Sequence, residues 1–350
     1  MIQKLEIEGY RCFEKLTVEG LGRLNLIVGE NNSGKTSLLE AIQLVTSSKP
    51  EDDLKQILAS RGEVHRFTSG EPKPLDLQSL FWGRTFQNPN FQIRASSSGT
   101  EDQTFRARIV GSDSIVGDPP YSFEIETDKR KEKTRFAIHR NGGVILNSKP
   151  AFSDLLEQLS PPGIPMGTLF IPSNSIPVAL LKILWQTLRV EGFDDGVLQI
   201  LHEFDSDIEK FDFLPDIGDG NGHIKLKGIS KWVPLGTLGD GAFRLLALSC
   251  AAVQSRGVVL LVDEIDTAFH YKALFKVWKM LNRFALNSDT QIFATTHSHD
   301  CIEAFARLVR DGIASSGDLS LQRVVKEKHR AVPYTGDQIL AAIQYDYEVR

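Results

Sequence analysis

The chain has 350 residues, of which 41% are hydrophobic and 24% charged, and a formal net charge of −5. That composition is globular and long enough to bury a sizeable core, in one large α/β domain or two, which excludes a disordered chain. The acidic balance speaks against bulk electrostatic capture of nucleic acid and leaves only a local basic stripe open.

In chain order, residues 2–7 and 14–18 alternate like short strands. The apolar stretch over 25–28 then runs into Gly29-Glu30-Asn31-Asn32-Ser33-Gly34-Lys35-Thr36, which fits the phosphate-binding pattern G-x-x-x-x-G-K-[ST] at every fixed position. A helix to about Val45 follows. The glycines allow torsions and a close approach that a Cβ blocks, so successive N–H groups can converge on phosphate oxygens. The helix start turns its positive dipole end on the same anion. The expected ligands are ATP and Mg²⁺, held by Gly29, Asn31, Asn32, Ser33, Gly34, Lys35, Thr36 and Ser37. Lys35 adds a point charge on the β- and γ-phosphates, and the Thr36 hydroxyl ligates the metal.

Residues 48–74 read as a polar linker, a helix around Asp53–Ala59 and a GEPKP loop. From Phe91 to Leu146 the pattern changes to alternating strands with Ser-, Gly-, Asp- and Pro-rich turns, an antiparallel β-lobe. Residues 150–159 look helical, SPPGIP at 160–165 breaks the chain, and MGTLFIPS is a short buried strand. Residues 175–211 read as mostly helical, with Leu198, Ile200, Leu201, Phe204, Ile208 and Phe211 at helical spacing. Residues 218–228 form a turn into a strand.

Chemistry returns in the last third. Gly239-Asp240-Gly241 precedes a helix over 242–253. VVLLVDEID at 258–266 is a continuous apolar run ending in acids, as a central parallel strand should. Asp263 and Glu264 form a Walker B pair: Asp263 holds Mg²⁺ through water, and Glu264 orients or deprotonates the attacking water. A helix over 271–285, the strand QIFATT, a helix over 299–308 and a final helix near 336–344 complete the chain.

The region between the phosphate loop and Gly239 has no heptads, which removes a long coiled-coil arm. The three cysteines, Cys12, Cys250 and Cys301, are scattered without a C-x-x-C, so they read as small buried hydrophobes in a reducing cytoplasm. No apolar run approaches the ~18 residues of a membrane span, and the N-terminus lacks a signal-peptide core. The basic run Lys129, Arg130, Lys131, Lys133 and Arg135 sits at a predicted hairpin with Asp128 and Glu132 interleaved. Two readings stand, a track for DNA phosphates or a solvated hairpin.

EGYRCFEKL followed by NLIVGENNSGKTSLLEAI resembles the start of ABC-type heads of the RecF and SMC kind. GENNSGKTSLLEAI, LGDGAFRLLAL, LLVDEIDTAFHY and FATTHSHD together resemble the ATPase domains of OLD (overcoming lysogenization defect) nucleases and of the PARIS-type anti-phage defence ATPase. The resemblance covers residues 1–45 and 235–310 and is loose in between. It implies an α/β fold: an ABC-type P-loop NTPase head with an N-terminal antiparallel β-lobe (90–147) and a helical lobe (150–234) inserted between Walker A and the signature motif. The nucleotide-binding core then lies in 1–48 and 235–310, and the tail in 311–350.

The resemblance also implies roles. Arg11 falls where the family has a basic residue near the nucleotide. His297, closer to the strand end than His299, falls on a histidine that bonds the γ-phosphate. Gly239, Asp240 and Gly241 occupy the signature position, which contacts ATP on a second subunit, although Gly239 replaces the usual serine. Asp266 to His270 stands at the D-loop, and Gln78 or Gln87 at the Q-loop. The chain ends about fifty residues after His297, too soon for the TOPRIM domain of OLD nucleases. The implied protein is an ATPase that forms a homo-oligomer through an ATP sandwich and controls a separate effector, a TOPRIM-like nuclease, in anti-phage defence. A RecF-like DNA-binding repair ATPase and an ATP-binding scaffold with little turnover are the alternatives.

Overall fold

The structure is a computed structural model. It describes residues 1–63, 75–87, 89–111, 121–128, 130–138, 143–144, 168–174, 176–214, 222–255, 257–325, 329–345 and 347–349. The chain divides into two compact units: Met1–Leu21, Gly29–Asp154 and Gln322–Pro333 make the first, and Gly22–Val28, Leu155–Leu321 and Tyr334–Arg350 the second.

In the first unit, β1 (Ile2–Tyr10) and β2 (Phe13–Glu19) form an antiparallel hairpin in register Leu5↔Val18 and Ile7↔Leu16. Strands β5 (Asn90–Ser97), β6 (Gln103–Gly111), β7 (Tyr121–Thr127) and β8 (Arg130–Ala137) extend it in the order β2-β1-β5-β6-β7-β8. The expected β-lobe is therefore a continuation of the N-terminal hairpin's sheet, because β5 pairs antiparallel with β1. Strand period explains the two faces. Leu5, Ile7, Phe91, Ile93, Phe105, Phe123 and Ile125 are buried, and the Phe91 ring lies 4.9 Å from Tyr10 and 5.7 Å from Phe105. The opposite face carries cross-strand ion pairs, among them Arg108 and Arg135 on Glu124, and Lys133 on Glu126. Short β4 (Leu75–Asp76) pairs with β9 (Gly143–Val144), and β17 (Arg330–Thr335) meets β2 at Arg330↔Thr17.

Helices α1 (Lys35–Thr46) and α2 (Pro50–Ser60) belong to this unit. Pro50 opens α2 with a preset φ, and Glu51, Asp52 and Asp53 suit its positive end. Asp53 also ties α2 to α1, accepting from Gln43 Nε2 at 2.8 Å and from the Ser47 hydroxyl. Burial pushes the Asp53 carboxyl up to about 6, against the effect of those two hydrogen bonds. A carboxyl whose folded pKa lies above its unfolded value stabilises fully only below the unfolded pKa, near 4, and that contribution is lost as pH rises through about 6. Asp53→Asn should remove this slope: urea unfolding of the two proteins should diverge by up to about 2 kcal/mol between pH 4 and 6. Parallel stability profiles over that window count against it.

The second unit holds a parallel sheet in the order β10-β14-β15-β3, from β3 (Leu24–Val28), β10 (Leu169–Ile171), β14 (Val259–Val262) and β15 (Gln291–Thr295). β3 and β15 are buried at every position, as strands covered on both faces should be. Around them pack α3 (Val178–Val190), α4 (Asp194–Phe204), α5 (Asp240–Gln254), α6 (Tyr271–Asn287), α7 (His299–Arg310) and α8 (Gly336–Gln344). The unit boundary falls within β16 (Leu319–Val325).

The helix expected to reach residue 211 stops at Phe204. Ile208 and Phe211 instead lie in β11 (Ile208–Phe213), which pairs antiparallel with β12 (Gly222–Leu226), itself paired with β13 (Val233–Pro234). The Asp205 carboxylate captures the Asp207 N–H at 3.0 Å and turns the chain. A register shift between Ile208 and Lys210 then lets residues three apart share a buried face, which imitates helical spacing. The helix expected over 150–159, the break at 160–165 and the GEPKP loop lie outside the described residues.

Candidate functional site

The phosphate loop starts where β3 stops. Gly29 has φ 149°, and a Cβ there would lie 2.8 Å from both Ser33 Oγ and the Val324 carbonyl. Gly34 has φ 99°, and a Cβ would lie 2.5 Å from the Phe13 ring and 2.6 Å from Cys12 Sγ. Both positions exclude a side chain on torsion and on space. Asn32, at φ 61°, takes the left-handed conformation that asparagine tolerates.

Gly34 is the N-cap of α1 and provides no side-chain hydrogen bond. The N–H groups at a helix start have no acceptor within the helix and suit an anion. Lys35 is 6% exposed, and its ammonium donates to the carbonyls of Gly29 and Glu30 at 2.9 Å each. It is curled over the loop it serves. Among the described residues, Ser33 Oγ is buried with no hydrogen-bond partner.

In the second unit, the register pairs Ile171 with Val262, Val262 with Ala294, and Thr295 with Ile27. The carboxyl ends of β10, β14, β15 and β3 therefore lie along one edge of the parallel sheet, the edge at which α/β folds bind ligands. Asp263 and Glu264 follow β14 there, and His297 follows β15. The Thr295 hydroxyl donates to Asp263 Oδ1 at 2.6 Å and accepts from the Glu264 N–H at 2.7 Å. One side chain on the neighbouring strand thus orders both acids. Nothing in a single sequence separates Thr295 from an ordinary strand threonine, so it was not expected.

Arg244 was also missed. It is 1% exposed on α5 and donates to the carbonyls of Pro172, of Asp263 at 2.7 Å and of Glu264 at 3.2 Å. Burial lowers its pKa, with Asp263, Glu264 and Asp266 acting in the opposite direction. Glu264 has φ 46°, unusual for a non-glycine residue, with its N–H and its carbonyl both held.

His297 is exposed, and the adjacent Ser298 caps α7 through the Cys301 N–H at 3.3 Å. His299 faces Glu303 at 3.5 Å on the helix surface, so of the two histidines His297 keeps the strand-end position. The Gly239–Gly241 turn caps α5 and is open. Gly239 has φ 83° with nothing near its Cβ position, and Asp240 is exposed. Gly241 is confined, since a Cβ would lie 2.8 Å from the Ala268 carbonyl. In the D-loop segment, the Asp266 carboxylate accepts from the Thr296 hydroxyl.

Arg11, expected near the nucleotide, is held by carboxylates instead. Its Nε lies 2.7 Å from Glu40, its two Nη atoms lie 3.0 and 3.1 Å from Glu63, and the guanidinium stands over the Tyr10 ring. Burial works against its charge, but Tyr10, Glu40 and Glu63 outweigh it and hold its pKa above the ordinary value. A guanidinium with both edges of its fork engaged by acids has no donor pair left for a phosphate.

Gln78 and Gln87 are both exposed and the structure does not choose between them. In the basic hairpin, Lys133 and Arg135 are paired across strands, whereas Lys129 and the side chains of Arg130 and Lys131 lie outside the described residues. Cys250 and Cys301 are fully buried and burial raises their pKa, as expected of small hydrophobes, whereas Cys12 is only half-buried. Among the described residues no helix is long and apolar enough to cross a membrane.

The chain is similar to several known proteins. A model of the AAA domain matches residues 4–149, and a second AAA-domain model, whose description carries the words "AbiEii toxin, Type IV TA system", matches residues 181–300. An "ATP/GTP phosphatase" of Helicobacter pylori is 21% identical over 344 residues, 89% of each chain. The DNA replication and repair protein RecF of Limosilactobacillus fermentum is 35% identical over 106 residues, 28% of each chain. An SMC head bound to the C-winged helix domain of ScpA has the same fold at a TM-score of 0.54, with 14% identity over 95% of this chain and 98% of the other. The Pyrococcus furiosus SMC head bound to the C-terminal domain of ScpA gives 0.50, with 12% identity over 99% of each. The chain thus combines an SMC-head-like α/β fold with two segments that match AAA-domain models and with RecF among its relatives.

Proposed function

We propose that the chain binds ATP with Mg²⁺ through Gly29–Ser37, hydrolyses it, and works as a homo-oligomer in which Gly239–Gly241 of one copy closes on nucleotide held by another. The observation that carries the reading is the Thr295 bridge, which fixes Asp263 and Glu264 at the carboxyl edge of the strands, directly after which the phosphate loop also begins. Two tied acids at a strand end suit a metal ligand beside a water-activating base. The Thr36 hydroxyl and the Asp263 carboxylate are hard oxygen donors of the type Mg²⁺ takes, the remaining positions being left to water and phosphate. The ion supplies neutralisation of the phosphate charge. Lys35 leaves the carbonyls of Gly29 and Glu30 for the β- and γ-phosphates, Glu264 takes the proton of the attacking water, and His297 donates to the γ-phosphate.

The wider role is control of a separate effector, a TOPRIM-like nuclease, in bacterial anti-phage defence. The similarity to the defence ATPases around the phosphate loop, the signature turn and Walker B supports this. Lys35→Ala is expected to weaken ATP binding at least 100-fold by calorimetry, the loss of one buried charge-assisted contact of about 3 kcal/mol. Wild-type affinity in that variant removes the loop from nucleotide binding. The similarity to RecF favours a second reading, a DNA-binding repair ATPase. DNA affinity of the isolated chain that falls steeply with salt is its mark, and the paired cations of the β7–β8 hairpin weigh against it.

A further inference from the structure

α5 joins two parts of the machinery that lie far apart in sequence. Its first turn is the open Gly239–Gly241 segment, and five residues on, about 7.5 Å along the axis, Arg244 is buried against the acids. Among the described residues, the Arg244 guanidinium pairs with no carboxylate at hydrogen-bonding distance. Its two Nη atoms donate to three backbone carbonyls, of Pro172 just after β10 and of Asp263 and Glu264 just after β14, while its buried Nε has no partner among the described residues. A buried arginine aimed at carbonyls is an expensive way to fill space, because an apolar side chain packs there without desolvating a charge. What the guanidinium adds is direction: a rigid planar fork fixes several acceptors at once.

Two further contacts make the connection stiff. The Gly241 backbone sits so close to the Ala268 carbonyl that a Cβ would lie 2.8 Å from it. The Glu264 backbone is held in its left-handed conformation by Thr295 on the N–H side and Arg244 on the carbonyl side. A shift or rotation of α5 therefore moves the Glu264 carbonyl, and the side chain with it.

We infer that Arg244 is a positioning residue that transmits engagement of the Gly239–Gly241 turn by a second copy's nucleotide to the water-activating Glu264 of its own chain. Nucleotide binding and catalytic competence are then separate: each copy loads ATP alone, and its base is set only when its own signature turn is occupied. This inference rests on the ATPase reading proposed above.

The test is Arg244→Lys, which keeps the charge but loses the fork, together with Arg244→Gln, which removes the charge and the fork while leaving a donor. ATP affinity, kcat, KM and ATP-dependent mass by light scattering are measured for each. The expected result is a fall in kcat of at least tenfold, with KM and ATP affinity within threefold of wild type and the ATP-dependent oligomer retained. For Arg244→Ala, millimolar guanidinium should restore part of kcat, which a packing role does not predict. A kcat within twofold of wild type in both substitutions overturns the inference, as does a fall in which affinity and kcat drop together in both. If Arg244→Lys fails to fold, Arg244→Gln decides by the same criteria. Failure of the underlying reading looks different: wild-type protein that neither binds nor hydrolyses ATP, or Lys35→Ala that hydrolyses it normally.

Discussion

Glu264→Gln is expected to bind ATP as tightly as wild type, to retain the ATP-dependent oligomer, and to lose turnover by a factor of at least about 100, the low end of what a positioned general base contributes. The structure makes the substitution clean. The Glu264 backbone is fixed by the Thr295 hydroxyl at its N–H and by Arg244 at its carbonyl, and neither contact involves the side chain. The carboxylate accepts from the Thr267 hydroxyl at 3.3 Å, a contact that a glutamine oxygen can keep. What goes is the capacity to take a proton at neutral pH, since an amide oxygen is not a base there. A phosphate-release assay and calorimetry on the same preparation separate the two quantities. Hydrolysis within threefold of wild type would assign the water to another group and leave Glu264 as a strand-end carboxylate.

How much of this was legible in the sequence depended on how local the physics is. Gly29–Thr36 could be read directly, because the torsions, the missing Cβ atoms and the charge on Lys35 are all properties of eight consecutive residues. The acids at 263 and 264 were legible because a strand buried on both faces leaves an apolar run that stops abruptly. That the acids and His297 follow strands whose carboxyl ends share one edge of the parallel sheet was inferable only in kind. Thr295 and Arg244 were invisible, since each acts on residues thirty-one and nineteen positions away and neither residue type is rare in its context. The partners of Arg11 were invisible too. Its place near the loop followed from resemblance, but which partner a guanidinium takes is decided by Glu40 on α1 and Glu63 beyond α2, and a sequence does not say that the two carboxylates converge. The failure at Ile208 and Phe211 was one of period: a bulge made a strand imitate a helix.

The Arg11 cluster leads to the second large effect, on stability. Glu40 is 3% exposed in the middle of α1. It lies 2.7 Å from Arg11 Nε and 2.5 Å from Arg61 Nε, with the Tyr10 hydroxyl donating to it at 3.3 Å. Glu40→Ala removes the acid and leaves the buried guanidinium of Arg11 with Glu63 as its one remaining carboxylate. Breaking a buried pair on one side costs about 3–5 kcal/mol, because the surviving charge stays desolvated. An unfolding free energy that falls by less than about 0.5 kcal/mol shows instead that water reaches the pair and screens it as at a surface.

The paired substitution Arg11→Met with Glu40→Leu carries more information than either single change. It removes both charges and keeps the volume, so most of the lost stability should return, and the coupling between the two sites follows from the cycle. The same protein also decides what Arg11 is for. If the guanidinium only joins α1 to its surroundings, ATP affinity stays within threefold of wild type once the fold is restored. If Arg11 turns from its carboxylates to a phosphate when nucleotide arrives, affinity falls tenfold or more while the unfolding midpoint holds. The fork is engaged on both edges, by Glu40 and by Glu63, so the first outcome is expected.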